Sequence, residues 1–149
     1  MSDNFLRLIP TDPSFVPDVA SAERARARFA QLTSATGHVT ATTTEHIKFV
    51  DQGSNFERVC CPSCGQELDR DWWTDRMDDA FKNRFTNRAV SPPCCRANLD
   101  LNDLRYDWPA GFARFVLEAL YALEDLSDSS LAELSEILGT PLRKIWAHY

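Results

Sequence analysis

Four of the cysteines in this chain are arranged as two close pairs, a pattern with few structural uses. The first pair lies in Cys61-Pro62-Ser63-Cys64-Gly65 and the second in Pro92-Pro93-Cys94-Cys95. In the first segment the proline favours a turn, and Gly65 is free to take a positive φ just after the second thiol. Both sulfurs can then reach one ion about 2.3 Å away, and the N–H groups of such a turn stabilise the thiolates that zinc requires.

The second pair consists of adjacent residues, whose side chains diverge in an extended strand. Cys94 and Cys95 can bind the same ion only where the chain turns sharply, which Pro92-Pro93 permits. We therefore predict one structural zinc ion held by Cys61, Cys64, Cys94 and Cys95. If the adjacent cysteines do not converge, the fourth ligand must come from Cys60, His38, His46 or His148.

The segment Cys61-Pro62-Ser63-Cys64-Gly65 resembles the metal knuckle of the zinc-ribbon class. The likeness covers this segment and the second cysteine pair, where a ribbon would carry another two-residue spacer instead of adjacent cysteines. It implies a closed structural zinc site. The segments 108–115 and 145–149 resemble parts of small bacterial proteins that have no assigned activity, and that likeness implies no function.

Other chemistries of a Cys-Pro-x-Cys turn fit the sequence less well. A thiol-disulfide centre of the glutaredoxin type opens a helix and needs no second cysteine pair, whereas Gly65 and a second pair are present here. An iron-sulfur cluster would also use four thiolates. A metal-dependent enzyme usually binds its ion through His or carboxylate ligands, and the chain has no His-x-x-x-His or His-x-Glu pattern. An enzyme is therefore the second alternative to a structural role.

The overall composition is that of a globular chain. Its 149 residues, 44% apolar and 26% charged, predict a single domain over 1–149. No apolar run approaches the roughly 18 to 20 residues needed to span a bilayer, so we expect no membrane association. The segment 1–10 lacks the pattern of a secretory signal, and the odd cysteine count argues against a disulfide framework, so we expect a cytoplasmic location. The net charge of -6 opposes general attraction to nucleic acid, which leaves another protein as the expected partner.

Apolar periodicity and capping residues predict the elements. We expect strands at 5–10, at 39–44 with 47–50, and at 112–120, the last of which has a helical alternative. Helices are expected at 19–32, with Val19 on the apolar side and Gly37 closing the segment, at 69–85, and at 128–138 between Ser127 or Asp128 and Gly139.

These elements predict an α+β fold. The segment 56–109 holds all five cysteines and is interpreted as an inserted zinc-binding subdomain within a sheet core made of 1–55 and 110–149. Without the insert, the order strand, helix, strand, strand, helix, strand is that of a ferredoxin-like (split βαβ) sheet.

The tail has two interpretations. As a strand, 142–149 completes the sheet. As a helix, it forms with 131–138 a helix-turn-helix-like DNA-binding regulator in which Arg143, Lys144 and His148 face the nucleic acid. The expected function is a zinc-stabilised protein that binds another protein, with the DNA-binding regulator as the first alternative.

Overall fold

The computed structural model describes residues 2–149, and its centre is a four-stranded antiparallel sheet. The strands are β1 (Asn4–Pro10), β2 (Val39–Val50), β7 (Gly111–Leu120) and β8 (Leu142–His148), in the spatial order β2-β7-β1-β8. Strand β1 pairs with both β7 and β8, with Leu6 opposite Ala119 on one side and Trp146 on the other. The chain is therefore α+β with a mainly antiparallel sheet.

Helices α1 (Val19–Thr33) and α3 (Asp128–Leu138) pack against each other and against one face of this sheet. Leu6 and Leu8 of β1 alternate toward the helices, where they meet Phe29 of α1 and Leu134 of α3 in one buried cluster. Asp18 and Ser127 cap the two helices by accepting hydrogen bonds from the backbone N–H of Ser21 and Ser130.

The chain between β2 and β7 folds into short elements. They are β3 (Arg58–Cys60), α2 (Arg70–Phe81), β4 (Ala89–Val90), β5 (Leu99–Asp100), a 3-10 helix (Leu101–Asp103) and β6 (Arg105–Asp107), with β3 paired to β6 and β4 to β5. Strands this short are not stable by themselves. They surround a second buried cluster that includes Leu101 and Tyr106 and extends to Phe112 of β7, so this segment shares its core with the sheet.

Asn102 ties the 3-10 helix to three parts of the sheet region. It is buried, its side chain accepts from the Phe112 N–H at 3.0 Å and donates to the Thr11 carbonyl at 3.1 Å, and Arg143 of β8 donates to its carbonyl at 3.1 Å. Removing a buried group that satisfies several partners is costly. The position of the middle segment against the sheet is therefore fixed by hydrogen bonds as well as by apolar contact.

Several sequence-based expectations are confirmed. The strands at 5–10 and 112–120 form, the segment 39–50 is one strand, and α3 has the predicted cap and its Gly139 stop, with φ 80°. The register of β2 on β7 shifts between Thr43 and Lys48, so the expected interruption near Glu45 is a bulge within one strand.

Other expectations were wrong at the ends of helices. Helix α1 ends at Ser34, which takes the left-handed conformation, and Gly37 instead lies against Leu120, whose Cγ a Cβ at Gly37 would approach to 2.7 Å. Val19 is 87% exposed because the buried face of α1 runs through Ala25, Phe29 and Thr33.

Helix α2 ends at Phe81 and does not continue to residue 85. Arg84 and Phe85 take φ values of 58° and 60°, which reverse the chain and bring Phe85 into the core. A helical pattern in the sequence could not reveal this stop, since no glycine or proline marks it.

Candidate metal centre

The first cysteine turn begins directly after β3. Cys61 donates its N–H to the Gln66 carbonyl at 2.8 Å, and the Gly65 N–H donates to the Cys61 carbonyl, also at 2.8 Å. Gly65 has φ 78°, a conformation that residues with a side chain rarely adopt. These bonds close a tight turn that directs the thiols of Cys61 and Cys64 to one side.

The second turn repeats this backbone with different residues. The Arg96 N–H donates to the Pro92 carbonyl at 2.8 Å, and Arg96 has φ 56°, so Arg96 takes the place that Gly65 has in the first turn. Pro92 then corresponds to Cys61, and Cys95 corresponds to Cys64. Because Pro92 has no thiol, the second sulfur of this turn comes from Cys94, at the position of Ser63. This is how two adjacent cysteines come to face the same point.

The structure brings the four predicted cysteines together. Across the two turns, the Sγ atoms of Cys61 and Cys95 are 3.6 Å apart and those of Cys64 and Cys94 are 3.5 Å apart, while Cys94 and Cys95 are separated by 3.9 Å. All four sulfurs lie within 4.8 Å of one another. A tetrahedron with zinc–sulfur bonds of about 2.3 Å has edges of about 3.8 Å, so the cluster is compatible with a zinc site.

The turns rest on the core at one side and meet solvent at the other. Cys61 is fully buried and Cys94 packs against the cluster that contains Leu101, whereas Cys64 and Cys95 are exposed. The strand pair β3/β6 supports the first turn, and β4 and β5 precede and follow the second. The residues beneath the site therefore hold the turns, and the outer two thiols remain accessible.

The surroundings of the sulfurs differ in their effect on ionisation. Burial favours the neutral thiol of Cys61, but hydrogen bonds from the backbone of Cys64 and Ser63 and from the thiols of Cys95 and Cys94 outweigh it and lower the pKa of Cys61 to about 7. Burial and hydrogen bonding to the other three thiols raise the pKa of Cys94 to about 12. The surroundings therefore favour the thiolate at Cys61 and the neutral thiol at Cys94.

The four alternative ligands lie elsewhere. Cys60 is buried in β3, His46 lies beside Glu45 in the β2 bulge, and His148 hydrogen-bonds to Asn4 at the start of β1. His38 lies just before β2, and its carbonyl accepts from the Leu120 N–H. Within residues 2–149, no other group of three or more His, Cys, Asp or Glu side chains has the spacing of a metal site. All five cysteines are free thiols.

The interpretation of the tail as a helix-turn-helix was wrong. Residues 142–148 form strand β8, which pairs along its length with β1. Its three candidate DNA contacts are partly buried and bonded to other residues of the protein: Arg143 donates to the Ala110 carbonyl at 2.8 Å, Lys144 pairs with Asp125, and His148 bonds Asn4. A segment this short does not show whether its apolar residues follow the period of a strand or of a helix. Pairing with β1 selects the strand here.

Sequence reasoning expected a sharp turn at Pro92-Pro93 but missed the left-handed residue Arg96 and the equivalence of Pro92 with Cys61. A signal was present, since Cys61-Pro62-Ser63-Cys64 and Pro92-Pro93-Cys94-Cys95 share a proline at the second position and a cysteine at the fourth. Aligning the segments on these positions places Arg96 at the left-handed residue. The alignment also explains why the cysteines of the second turn stand at its third and fourth positions.

Comparison with protein-family models, with curated proteins and with solved structures gives no match to this chain. Within residues 2–149, none of the helices has both the length and the apolar character that crossing a bilayer requires.

Proposed function

We propose that the protein binds one zinc ion through Cys61, Cys64, Cys94 and Cys95 and that the ion has a structural role. The observation that carries this proposal is the meeting of four sulfurs from two separate turns within 4.8 Å of one another. The first turn is of the zinc-knuckle type, and the second is a variant of it. Four thiolates fill the tetrahedral shell that zinc takes in structural sites.

The chemistry of the donors favours structure over catalysis. A catalytic zinc keeps one position for water or substrate and is usually held by histidine or carboxylate. Four cysteine ligands leave no such position. When bound, the ion would join the end of β3 to the β4–β5 segment, whose strands are too short to fold alone.

The binding free energy of zinc is large enough for the ion to determine whether the middle segment folds. Structural zinc contributes about 10 to 16 kcal/mol of apparent binding free energy in small modules, whereas a whole domain is stable by about 5 to 15 kcal/mol. We infer that the middle segment is a zinc-binding subdomain whose folding depends on the ion. A cytoplasmic location belongs to the same proposal, because thiols stay reduced there.

We further propose that the sheet and its two helices are ferredoxin-like and that the protein acts by binding another protein. The strand order β2-β7-β1-β8, with α1 and α3 on one face, supports the first statement. Support for the second comes from apolar side chains left exposed, among them Phe81 at 67%.

Substitution of one cysteine tests the metal site. Purified protein is expected to contain about one zinc per chain by elemental mass spectrometry, and Cys64→Ala should lose it because three thiolates leave the tetrahedral shell incomplete. Cys60→Ala is the matched control: its thiol is near in sequence but outside the cluster, so zinc content should not change. Wild-type protein without zinc, or equal zinc in both variants, would overturn the proposal.

A further inference from the structure

A groove of about 630 Å³ runs between the bulge of β2 and the end of α2. It is lined on the strand side by Thr44, Ile47 and Lys48 and on the helix side by Phe81, Lys82 and Arg84. Its volume falls within the range of sites that hold a ligand or a short peptide segment, roughly 300 to 1,000 Å³. It lies apart from the cysteine cluster.

The apolar part of the groove is formed by Phe81 and Ile47, and Phe81 is available because α2 ends at this residue. The reversal at Arg84 and Phe85 places Phe85 in the core and leaves Phe81 67% exposed, with its ring in edge contact with that of Phe85 at a centroid distance of 5.7 Å. Ile47 lies half-buried across from it in the bulge. An aromatic and a branched aliphatic side chain that meet in a concave site are what an apolar anchor of a partner packs against.

The rim carries positive charge on a chain that is acidic overall. Lys48, Lys82 and Arg84 are exposed, and among the described residues Lys48 and Arg84 form no ion pair, whereas Lys82 lies 3.4 Å from Asp79. Glu45 is the one carboxylate of the lining. With a net charge of -6 for the whole chain, this local excess of cations selects an anionic partner.

The backbone of β2 favours a short extended partner over a second copy of the chain. Strand β2 is at the edge of the sheet and pairs only with β7, so part of its backbone can hydrogen-bond outward. The shift of register between Thr43 and Lys48 interrupts that edge. Two β2 strands side by side would bring together two bulges and two cationic rims, which opposes a continuous sheet across two copies.

We propose that this groove binds a short extended acidic segment of a partner protein. An apolar side chain of that segment packs on Phe81 and Ile47, its carboxylates pair with Lys48, Lys82 and Arg84, and its backbone pairs with the uninterrupted part of the β2 edge. The inference rests on the proposed protein-binding function and names its partner class. A nucleic acid also carries negative charge, but it cannot form the backbone ladder that a strand edge offers.

Fluorescence anisotropy on the zinc-loaded full-length chain tests this inference. The probe is a labelled pool of short peptides in which Asp or Glu alternates with Leu, Val or Phe, and the comparison pool has Lys in place of the acids. The acidic pool should bind and the basic pool should not. Lys82→Glu with Arg84→Glu should weaken binding about tenfold or more, since attraction becomes repulsion, and Arg24→Glu, at an exposed arginine of α1, should not.

A second pair of variants separates apolar anchoring from charge. Phe81→Ala should weaken binding, whereas Leu123→Ala, which truncates an equally exposed side chain (68%) outside the groove, should leave it unchanged. N-methylation of alternate peptide amides should also weaken binding, because it removes donors to the β2 edge.

Each result that would contradict the proposed peptide site can be recognised separately. Absence of binding by the acidic pool, or equal binding to the charge-reversed variant, would overturn the inference. So would tighter binding of single-stranded DNA at the same groove, or self-association in sedimentation that Phe81→Ala abolishes, each of which identifies a different occupant. Zinc content is measured on the same samples, so that failure of the metal site and failure of the groove are told apart.

Discussion

At the residue scale, backbone conformation decides where the sulfurs point. Gly65 and Arg96 occupy equivalent left-handed positions in the two cysteine turns, with φ 78° and 56°. Glycine takes this conformation without steric cost, whereas a residue with a Cβ loses about 1 to 2 kcal/mol there. The backbone of the second turn is therefore the more strained of the two. Each turn depends on its own left-handed residue to close, Gly65 in the first and Arg96 in the second.

Substitution of Gly65 should weaken zinc binding without any steric clash. A Cβ at this position would meet nothing within 4 Å, so Gly65→Ala acts only through the left-handed backbone. We expect zinc affinity to fall about tenfold in competition with a chromophoric chelator, from a conformational cost of about 1 to 2 kcal/mol.

Gly139→Ala is the matched control for that experiment. Gly139 has φ 80° and equally open space around its Cβ position, but it ends α3, away from the cysteines. Its substitution should lower stability and leave the zinc affinity of the folded protein unchanged. Arg96→Gly should act in the opposite direction to Gly65→Ala and strengthen binding. Equal zinc affinity in all three variants would show that these backbone positions do not shape the site.

At the scale of elements, the two helices that pack on the sheet, α1 and α3, are capped at their N-termini and joined to each other. Ser127 caps α3 by accepting from the Ser130 N–H at 3.1 Å, and Arg28 of α1 donates to both carboxylate oxygens of Glu133 on α3. The apolar contact between α1 and α3 supplies most of their stability, because propensity alone does not hold helices of this length in water.

Loss of the α3 cap should lower stability by a measurable amount. Ser127→Ala leaves the Ser130 N–H without its acceptor, and we expect the free energy of unfolding in urea to fall by about 1 kcal/mol. Ser129→Ala serves as control, since Ser129 is exposed and accepts no backbone bond. A loss no larger at Ser127 than at Ser129 would contradict the capping role.

The ion pair between Arg28 of α1 and Glu133 of α3 should contribute to the stability of the fold in a pH-dependent way. The hydrogen bond from Arg28 lowers the pKa of Glu133 below its ordinary value of 4.5. The folded protein therefore favours the ionised form of Glu133. The contribution of the ion pair to the free energy of unfolding is complete above about pH 4.5, the ordinary pKa, and is lost as the pH falls through the lower pKa of the folded state. In an NMR titration the Glu133 midpoint should lie below 4.5 in the wild type and return toward it in Arg28→Ala. The same midpoint in both proteins would mean that the pair does not persist in solution.

At the scale of the whole molecule, the two larger of the three buried clusters meet at the sheet. The cluster between helices and sheet uses Leu8 and Phe29, whereas the cluster under the cysteine turns uses Leu101 and Tyr106 and reaches the sheet through Phe112. The proposed metal lies at the far side of the second cluster. Its removal should therefore act on that side first.

Chelation of zinc should loosen one region more than the other. Hydrogen exchange should increase most in 58–107, where β3 to β6 are two or three residues long, and least in β1 and β7, which pair on both sides. The Cys64→Ala variant should show the same pattern without a chelator. An equal rise in exchange across β1 and β7 would mean that the two regions unfold as one unit.

Features that depend on neighbouring residues could be predicted from the order of the amino acids alone. The turn at Cys61 to Gly65 follows from its proline and glycine, and α3 follows from Ser127, an apolar face and Gly139. The identity of the four cysteines that meet was also predictable, because close-set pairs of thiols have few other uses. These signals are local, so no knowledge of the fold was needed to find them.

Features that depend on residues distant in the chain are set by the folded structure and could not be predicted from local sequence. Residues 142–148 are a strand because β1 pairs with them, and α2 stops at Phe81 because Phe85 enters the core. The thiol of Cys94 lies 3.5 Å from that of Cys64 because the second turn faces the first. In each case the local sequence permits two conformations of similar free energy. Burial and hydrogen bonding between residues far apart in the chain select one of them.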